Sequence, residues 1–197
     1  VTSFPTQPER SVHADVERVL LSESELSARV TALADELRAV YGKDEPTVIA
    51  VLKGSVLFVA DLIRRLPIPL RLAFLQAESY RQGTRPGTLE LGPLPPAAEL
   101  QGRRVLLVDD ILDSGRTLDA IRARLRAAGA REVRTCVLLD KPARRAVELE
   151  AEHVGFRVAD HFVVGYGLDF AGRYRNLPYV GILRPEVLAR YAREAEA

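Results

Sequence analysis

Six residues that could do chemistry together fall within nine positions: Asp109, Asp110, Asp113, Ser114, Gly115 and Thr117. The stretch VLLVDDILDSGRTL (Val105–Leu118) reads as a buried strand, an acid pair, a short loop with a third acid, a Ser-Gly-x-Thr turn and a helix start. Backbone N–H groups at such a turn, that of Arg116 included, point outward from the helix end, and the helix dipole favours an anion there. Ser114 and Thr117 add hydroxyl donors, and Gly115 permits close backbone approach. These parts make a phosphomonoester cradle. The turn is neither a Walker A loop, which needs Gly-Lys-Ser/Thr, nor a dinucleotide fingerprint. Carboxylates repel phosphate, but they accept hydrogen bonds from sugar hydroxyls or neighbour a divalent ion that touches phosphates. A sugar-phosphate site with Mg2+ uses every part. Each part alone has a plainer reading, the acid pair as turn chemistry and Ser-Gly-x-Thr as a helix cap.

Periodicity gives the elements that must hold this loop. Leu26, Val30, Leu33, Leu37 and Val40 form one apolar stripe between Ser22 and Tyr41. Ser22 and Glu25 have capping-box spacing and Gly42 supplies the stop. Thr47–Leu52, Leu70–Leu75, Arg104–Val108, Val133–Leu139 and Phe162–Gly165 read as strands. Helical spacing follows at Val59, Leu62, Ile63 and Leu66, and again at Leu118, Ile121 and Leu125. Strands apolar along their length, alternating with helices, predict an α/β fold with a central, mainly parallel twisted sheet flanked by helices. Pro185 opens a terminal helix. Residues 1–19, with Pro5 and Pro8 and little periodicity, read as an N-terminal arm, and residues 20–197 as the domain. Arg81–Leu100 holds four prolines and three glycines and no helical stripe. It is a mobile functional loop, or else a spacer or small hairpin.

Composition narrows the function. With 197 residues the chain is one domain that can bury a core without metal or disulfides. The lone Cys136 excludes an internal disulfide framework and fits a reducing compartment. No apolar run is long enough for a membrane span, and Val1–Arg10 lacks the regions of a signal peptide, so a cytoplasmic protein is expected. A net charge of +1 gives no polyanion-binding signal. Of 28 basic residues only Lys43, Lys53 and Lys141 are lysine, the rest arginine. Codon usage explains the bias, which makes each lysine's position informative.

At this point the chain resembles a known family. Val105–Thr117 is similar to the phosphoribosyl pyrophosphate signature of type I phosphoribosyltransferases. VLKGSVLFVADL (Val51–Leu62), LLDKPARR (Leu138–Arg145) and FVVGYGLDFAGRYRNLPYVGIL (Phe162–Leu183) resemble, in order, motifs of the hypoxanthine-guanine phosphoribosyltransferases. The likeness covers about Leu20 to Leu183. It implies the type I fold, with a small hood built from the N- and C-terminal segments. It also implies Mg2+-dependent transfer of ribose 5-phosphate from phosphoribosyl pyrophosphate to N9 of hypoxanthine or guanine, giving IMP or GMP.

The resemblance assigns roles. Asp109 and Asp110 would hold ribose hydroxyls and order Mg2+, with Asp109 standing where the family usually has Glu. Asp113 would be the general acid/base at purine N7, and Asp113, Ser114, Gly115, Arg116 and Thr117 would bind the 5-phosphate. Lys53 and Gly54, often beside a cis peptide, and Arg175 would bind pyrophosphate. Lys141 would donate to purine O6, Phe162 would stack on the base, and Val163, Leu168 and Asp169 would read its edge, Asp169 also contacting a second Mg2+. Ser79 and Tyr80 would open a flexible lid at about residues 79–100. Plainer readings stand beside these: Lys53-Gly54-Ser55 as an ordinary turn, Arg175 as a surface arginine, Lys141 as a strand-end lysine bonded to a carbonyl. The implied partners are small-molecule substrates and further copies of the chain, as a homodimer or homotetramer, with no nucleic acid and no membrane. A nucleic-acid-binding regulator is the alternative class, for which only Arg122, Arg124 and Arg126 speak, and xanthine is an alternative base.

Overall fold

The computed structural model describes residues 13–79 and 89–195. In chain order these form β1 (Val16–Leu21), α1 (Glu23–Tyr41), β2 (Thr47–Leu52), α2 (Val56–Arg65), β3 (Arg71–Ser79) and β4 (Leu89–Leu91). There follow β5 (Arg104–Leu112), α3 (Arg116–Ala127), β6 (Glu132–Asp140), β7 (His153–Arg157), β8 (Val163–Val164), β9 (Val180–Leu183) and α4 (Pro185–Ala195). A six-stranded sheet runs β4-β3-β2-β5-β6-β7, parallel except for β4. A three-stranded antiparallel sheet, β1-β9-β8, is the hood.

Local chemistry sets the boundaries. At α1 the Ser22 hydroxyl accepts from the Glu25 backbone and the Glu25 carboxylate accepts from the Ser22 backbone at 2.8 Å, the expected reciprocal cap. Leu26, Val30, Leu33 and Leu37 are buried on one face, packing with Phe58, Val59 and Leu62 of α2 against the sheet. The opposite face packs Leu118, Ile121 and Leu125 of α3 over Ile49, Val105 and Leu107. The chain therefore leaves β2 toward one face and β5 toward the other. Between two neighbouring parallel strands whose connections diverge, a crevice opens at the carboxyl ends.

Three expectations needed revision. The N-terminal arm expected over residues 1–19 overlaps a strand, Val16–Leu21, whose Val16 and Leu21 are buried. Its pairing with β9 slips between Val16 and Arg18 and again between Val19 and Leu21, which erases the alternation a strand normally shows. Strand β5 runs on to Leu112, so Asp109 and Asp110 lie inside it, paired beside β6 rather than after it. Leu100, expected at the end of the lid, is a core residue instead. Leu89–Leu91 pairs with Ala77–Ser79, and Leu100 is only 1% exposed among Ile49, Val105 and Leu107. Tyr80 and residues 81–88 lie outside the described residues. Leu100→Ala should therefore lower global unfolding free energy by about 2–5 kcal/mol in urea titrations, as for a core leucine. A change near zero would return Leu100 to the lid.

Candidate active site

The crevice between β2 and β5 holds a cavity of about 370 Å3. Lys53, Gly54, Asp109, Asp110, Asp113, Ser114, Gly115, Thr117, Asp169 and Arg175 all line it, so loops far apart in sequence converge there. Lys141, Phe162, Val163 and Leu168 stand outside its lining, and Arg116 points its side chain to solvent as α3 begins.

The Ser-Gly-x-Thr turn leads directly into α3. Gly115 caps α3 at φ +82°, a conformation that suits glycine, and a Cβ there would lie 2.8 Å from Val147 Cγ2. Arg145, which carried no assigned role, anchors the turn. Its guanidinium donates to the Asp113 carbonyl at 2.5 Å and to the Asp140 carboxylate at the end of β6. The Asp113 Oδ1 is buried without a hydrogen-bond partner among the described residues, while Arg144 Nε faces it at 3.4 Å outside hydrogen-bond alignment. Both arginines sit in LLDKPARR, but 25 arginines in the chain gave no reason to single them out.

The acid pair is costly to bury. Asp109 is 7% exposed, and its Oδ1 accepts from the Asp110 backbone N–H at 2.9 Å. Its short side chain is thus turned back on its own strand. Burial, and then the neighbouring Asp110 charge, push the Asp109 carboxyl well above the usual carboxylate range. Burial also raises Asp110, against which hydrogen bonds and the Arg175 charge pull. Gly54 presses on this pair so closely that a Cβ would lie 1.7 Å from Asp110 Oδ2. The peptide bond just before, Leu52–Lys53, is cis. Lys53 itself is exposed.

Asp169 is engaged on both oxygens, by Arg175 at 2.7 Å and by the Gly172 N–H at 2.8 Å. Arg175 also donates to the Gly167 carbonyl at 2.6 Å. Although Asp109, Asp110 and Asp169 share the cavity, no group of three acids or histidines among the described residues is close enough to hold a metal by itself. Asp109 and Asp110 are neighbours on β5, while Asp169, expected at a second Mg2+, is ion-paired with Arg175. Lys141 is buried, donates to the His161 carbonyl at 2.5 Å and stands 3.9 Å from Asp160. Burial lowers its pKa. The carbonyl bond matches its plainer reading, yet an ammonium has two further donors. Phe162 is 42% exposed, held edge-to-face by Phe170 at 5.1 Å. Ser79 ends β3 at the mouth of the segment outside the described residues.

Comparison with known proteins places this arrangement. The family model for the phosphoribosyl transferase domain matches residues 20–171. A hypoxanthine-guanine phosphoribosyltransferase of Bacillus subtilis is 42% identical over 177 residues, spanning 88% of this chain and 96% of that protein. A bifunctional protein TilS/HprT of Listeria monocytogenes is 46% identical over 178 residues, 90% of this chain but 27% of its own length. The chain thus spans about a quarter of that curated relative. A solved Trypanosoma cruzi hypoxanthine phosphoribosyl transferase superposes with a TM-score of 0.85 at 34% identity, covering 94% of this chain and 100% of that one.

Folding raises the pKa of the acid pair, so the folded chain holds these protons more tightly than the unfolded chain. The pair's contribution to stability is complete below about pH 4 and is lost as pH rises through the raised values. Asp109→Asn should therefore raise the Tm of the ligand-free protein at pH 8, with a smaller gain at pH 4. An equal or lower Tm at pH 8 would contradict the electrostatic account of the pair.

Proposed function

The chain belongs to the hypoxanthine-guanine phosphoribosyltransferase family, and from that premise we propose that it is a purine-salvage enzyme. It transfers the 5-phosphoribosyl group of phosphoribosyl pyrophosphate to N9 of hypoxanthine or guanine, giving IMP or GMP and pyrophosphate. The observation that carries the reading is the shared cavity in which a helix N-terminus, a buried acid pair and the Lys53-Gly54 backbone converge.

The 5-phosphate sits on the backbone N–H groups and hydroxyls of Asp113–Thr117, where the start of α3 favours an anion. Asp110 and Asp109 accept from the ribose hydroxyls. Pyrophosphate lies against the Lys53-Gly54 amides and Arg175, whose guanidinium is already oriented by Asp169 and Gly167. As the glycosidic bond loosens, positive charge grows on the anomeric carbon and negative charge on the leaving group. Fixed donors around the latter lower that barrier without reorganising. The Asp113 Oδ1, which has no hydrogen-bond partner among the described residues, takes the proton from purine N7. Lys141 uses a remaining N–H on O6, which rejects adenine because its amino group is a donor. Phe162 stacks on the base through its exposed face, and Val163, Leu168 and Asp169 border the base edge. Asp109 and Asp110 would hold a divalent cation, since two buried like-charged acids are relieved by one, and Asp169 would contact a second beside its ion pair with Arg175. When bound, Mg2+ supplies charge neutralisation for the pyrophosphate.

Ser79 and Tyr80 open the flexible lid placed at about residues 79–100, from which Leu100 is excluded because its side chain is core. A homodimer or homotetramer fits the exposed Leu72 and Phe74, which share one face of β3. A cytoplasmic setting fits the buried free thiol of Cys136 and the absence, among the described residues, of a helix able to cross a membrane. Residues 20–197 act as one phosphoribosyltransferase domain, together with the start of β1 at Val16.

Purified protein with Mg2+ and phosphoribosyl pyrophosphate should convert hypoxanthine and guanine, with xanthine assayed alongside. Formation of neither IMP nor GMP would sink the proposal. Asp113→Asn should cut kcat by about 100-fold or more while IMP still binds. An equal loss of IMP affinity would make Asp113 a structural residue.

A further inference from the structure

Resting on the functional reading above, we infer that Tyr166 and Asp61 are a positioning pair that clamps the purine-side loop onto the pyrophosphate-side loop. Tyr166 lies in the turn Gly165–Leu168 that follows β8, between residues assigned to the base. Its hydroxyl donates to Asp61 Oδ2 at 2.6 Å, across 105 positions of sequence. Asp61 sits on α2, which starts immediately after Lys53-Gly54-Ser55 and is fixed to the sheet by Phe58, Val59 and Leu62. The bond therefore ties one substrate loop to the rigid helix that follows the other.

The two loops also meet directly. A Cβ on Gly167 would lie 2.0 Å from the Gly54 carbonyl oxygen, and one on Gly54 would strike Asp110. Asp110, Gly54 and Gly167 are thus stacked with no room for a side chain between them. The same Gly167 carbonyl orients Arg175. A shift of the Tyr166 turn would move Gly167 off Gly54 and release the arginine, so both pyrophosphate contacts depend on it.

The pair has features a surface contact would not need. Tyr166 is 8% exposed and adopts φ +49°, which is unfavourable for a side chain with a Cβ. Arg64 and Arg65 both approach Asp61 through Oδ1, at 2.7 and 3.3 Å, leaving Oδ2 to the phenol. The carboxylate is thus held in place by two guanidiniums while it accepts the hydroxyl. Burial and the nearby carboxylate both push the phenol's pKa up, so it stays a donor.

Calorimetric titration of pyrophosphate with Mg2+, together with steady-state kinetics and Tm, tests the pair. Tyr166→Phe should weaken pyrophosphate binding and raise the KM for phosphoribosyl pyrophosphate about tenfold. Asp61→Ala should match it, and Tyr166→Phe with Asp61→Ala should be no worse than either alone. Asp61→Asn, which keeps an acceptor, should recover most of the affinity. Wild-type pyrophosphate affinity and KM in Tyr166→Phe, with or without a lower Tm, would overturn the proposal. So would pyrophosphate affinities that add in the double variant. Binding is measured without turnover, so a wild type that binds pyrophosphate but makes no nucleotide counts against the transferase reading alone.

Discussion

Contact between Gly54 and Asp110 is the constraint on which the rest of the molecule turns. At the carboxyl end of the sheet, the loop after β2 lies on a carboxylate of β5 with no space for a methyl group, 1.7 Å being the separation a Cβ would have. The peptide bond just before Gly54, Leu52–Lys53, is cis, and a Cβ on Gly167 would lie 2.0 Å from the Gly54 carbonyl oxygen. Helix α2 and helix α3 leave on opposite faces, so the crevice stays open while its walls are held by two separate cores. Local rigidity of this kind is what positioning catalysis needs.

The electrostatics of the crevice oppose its task. A ligand rich in phosphate has to enter beside two buried acids, in a protein whose net charge of +1 offers little bulk attraction. Attraction is instead local: the N-terminus of α3, the exposed Lys53, and Arg175 held between Asp169 and Gly167. In a chain that uses arginine almost everywhere, Lys53 and Lys141 follow β2 and β6 directly, while Lys43 is a solvent-exposed residue beyond α1. A lysine ammonium is compact and its donors rotate, which suits one ligand oxygen better than a planar fork does.

Much of this was legible from residue order. The capping box at Ser22 and Glu25, the apolar runs of β2, β5 and β6 and the Ser-Gly-x-Thr turn carry local signals strong enough to survive any tertiary context. Other features were hidden for stateable reasons. Strand β1 is irregular in register, so its period is lost, and Asp109 and Asp110 look like the end of a strand because acids are rare within one. Leu100 follows a proline-rich stretch that reads as loop, although its own side chain is core. Arg145, and the bond from Tyr166 to Asp61, depend on contacts across 32 and 105 positions, which no local pattern reports.

We propose that a divalent cation would relieve the two buried acids as the anionic substrate enters the crevice. Equilibrium binding of phosphoribosyl pyrophosphate at pH 8, measured by calorimetry with and without Mg2+, tests it most directly. The account predicts affinity at least about tenfold higher with Mg2+, a difference of about 1.4 kcal/mol. Equal affinity in the two conditions would contradict it.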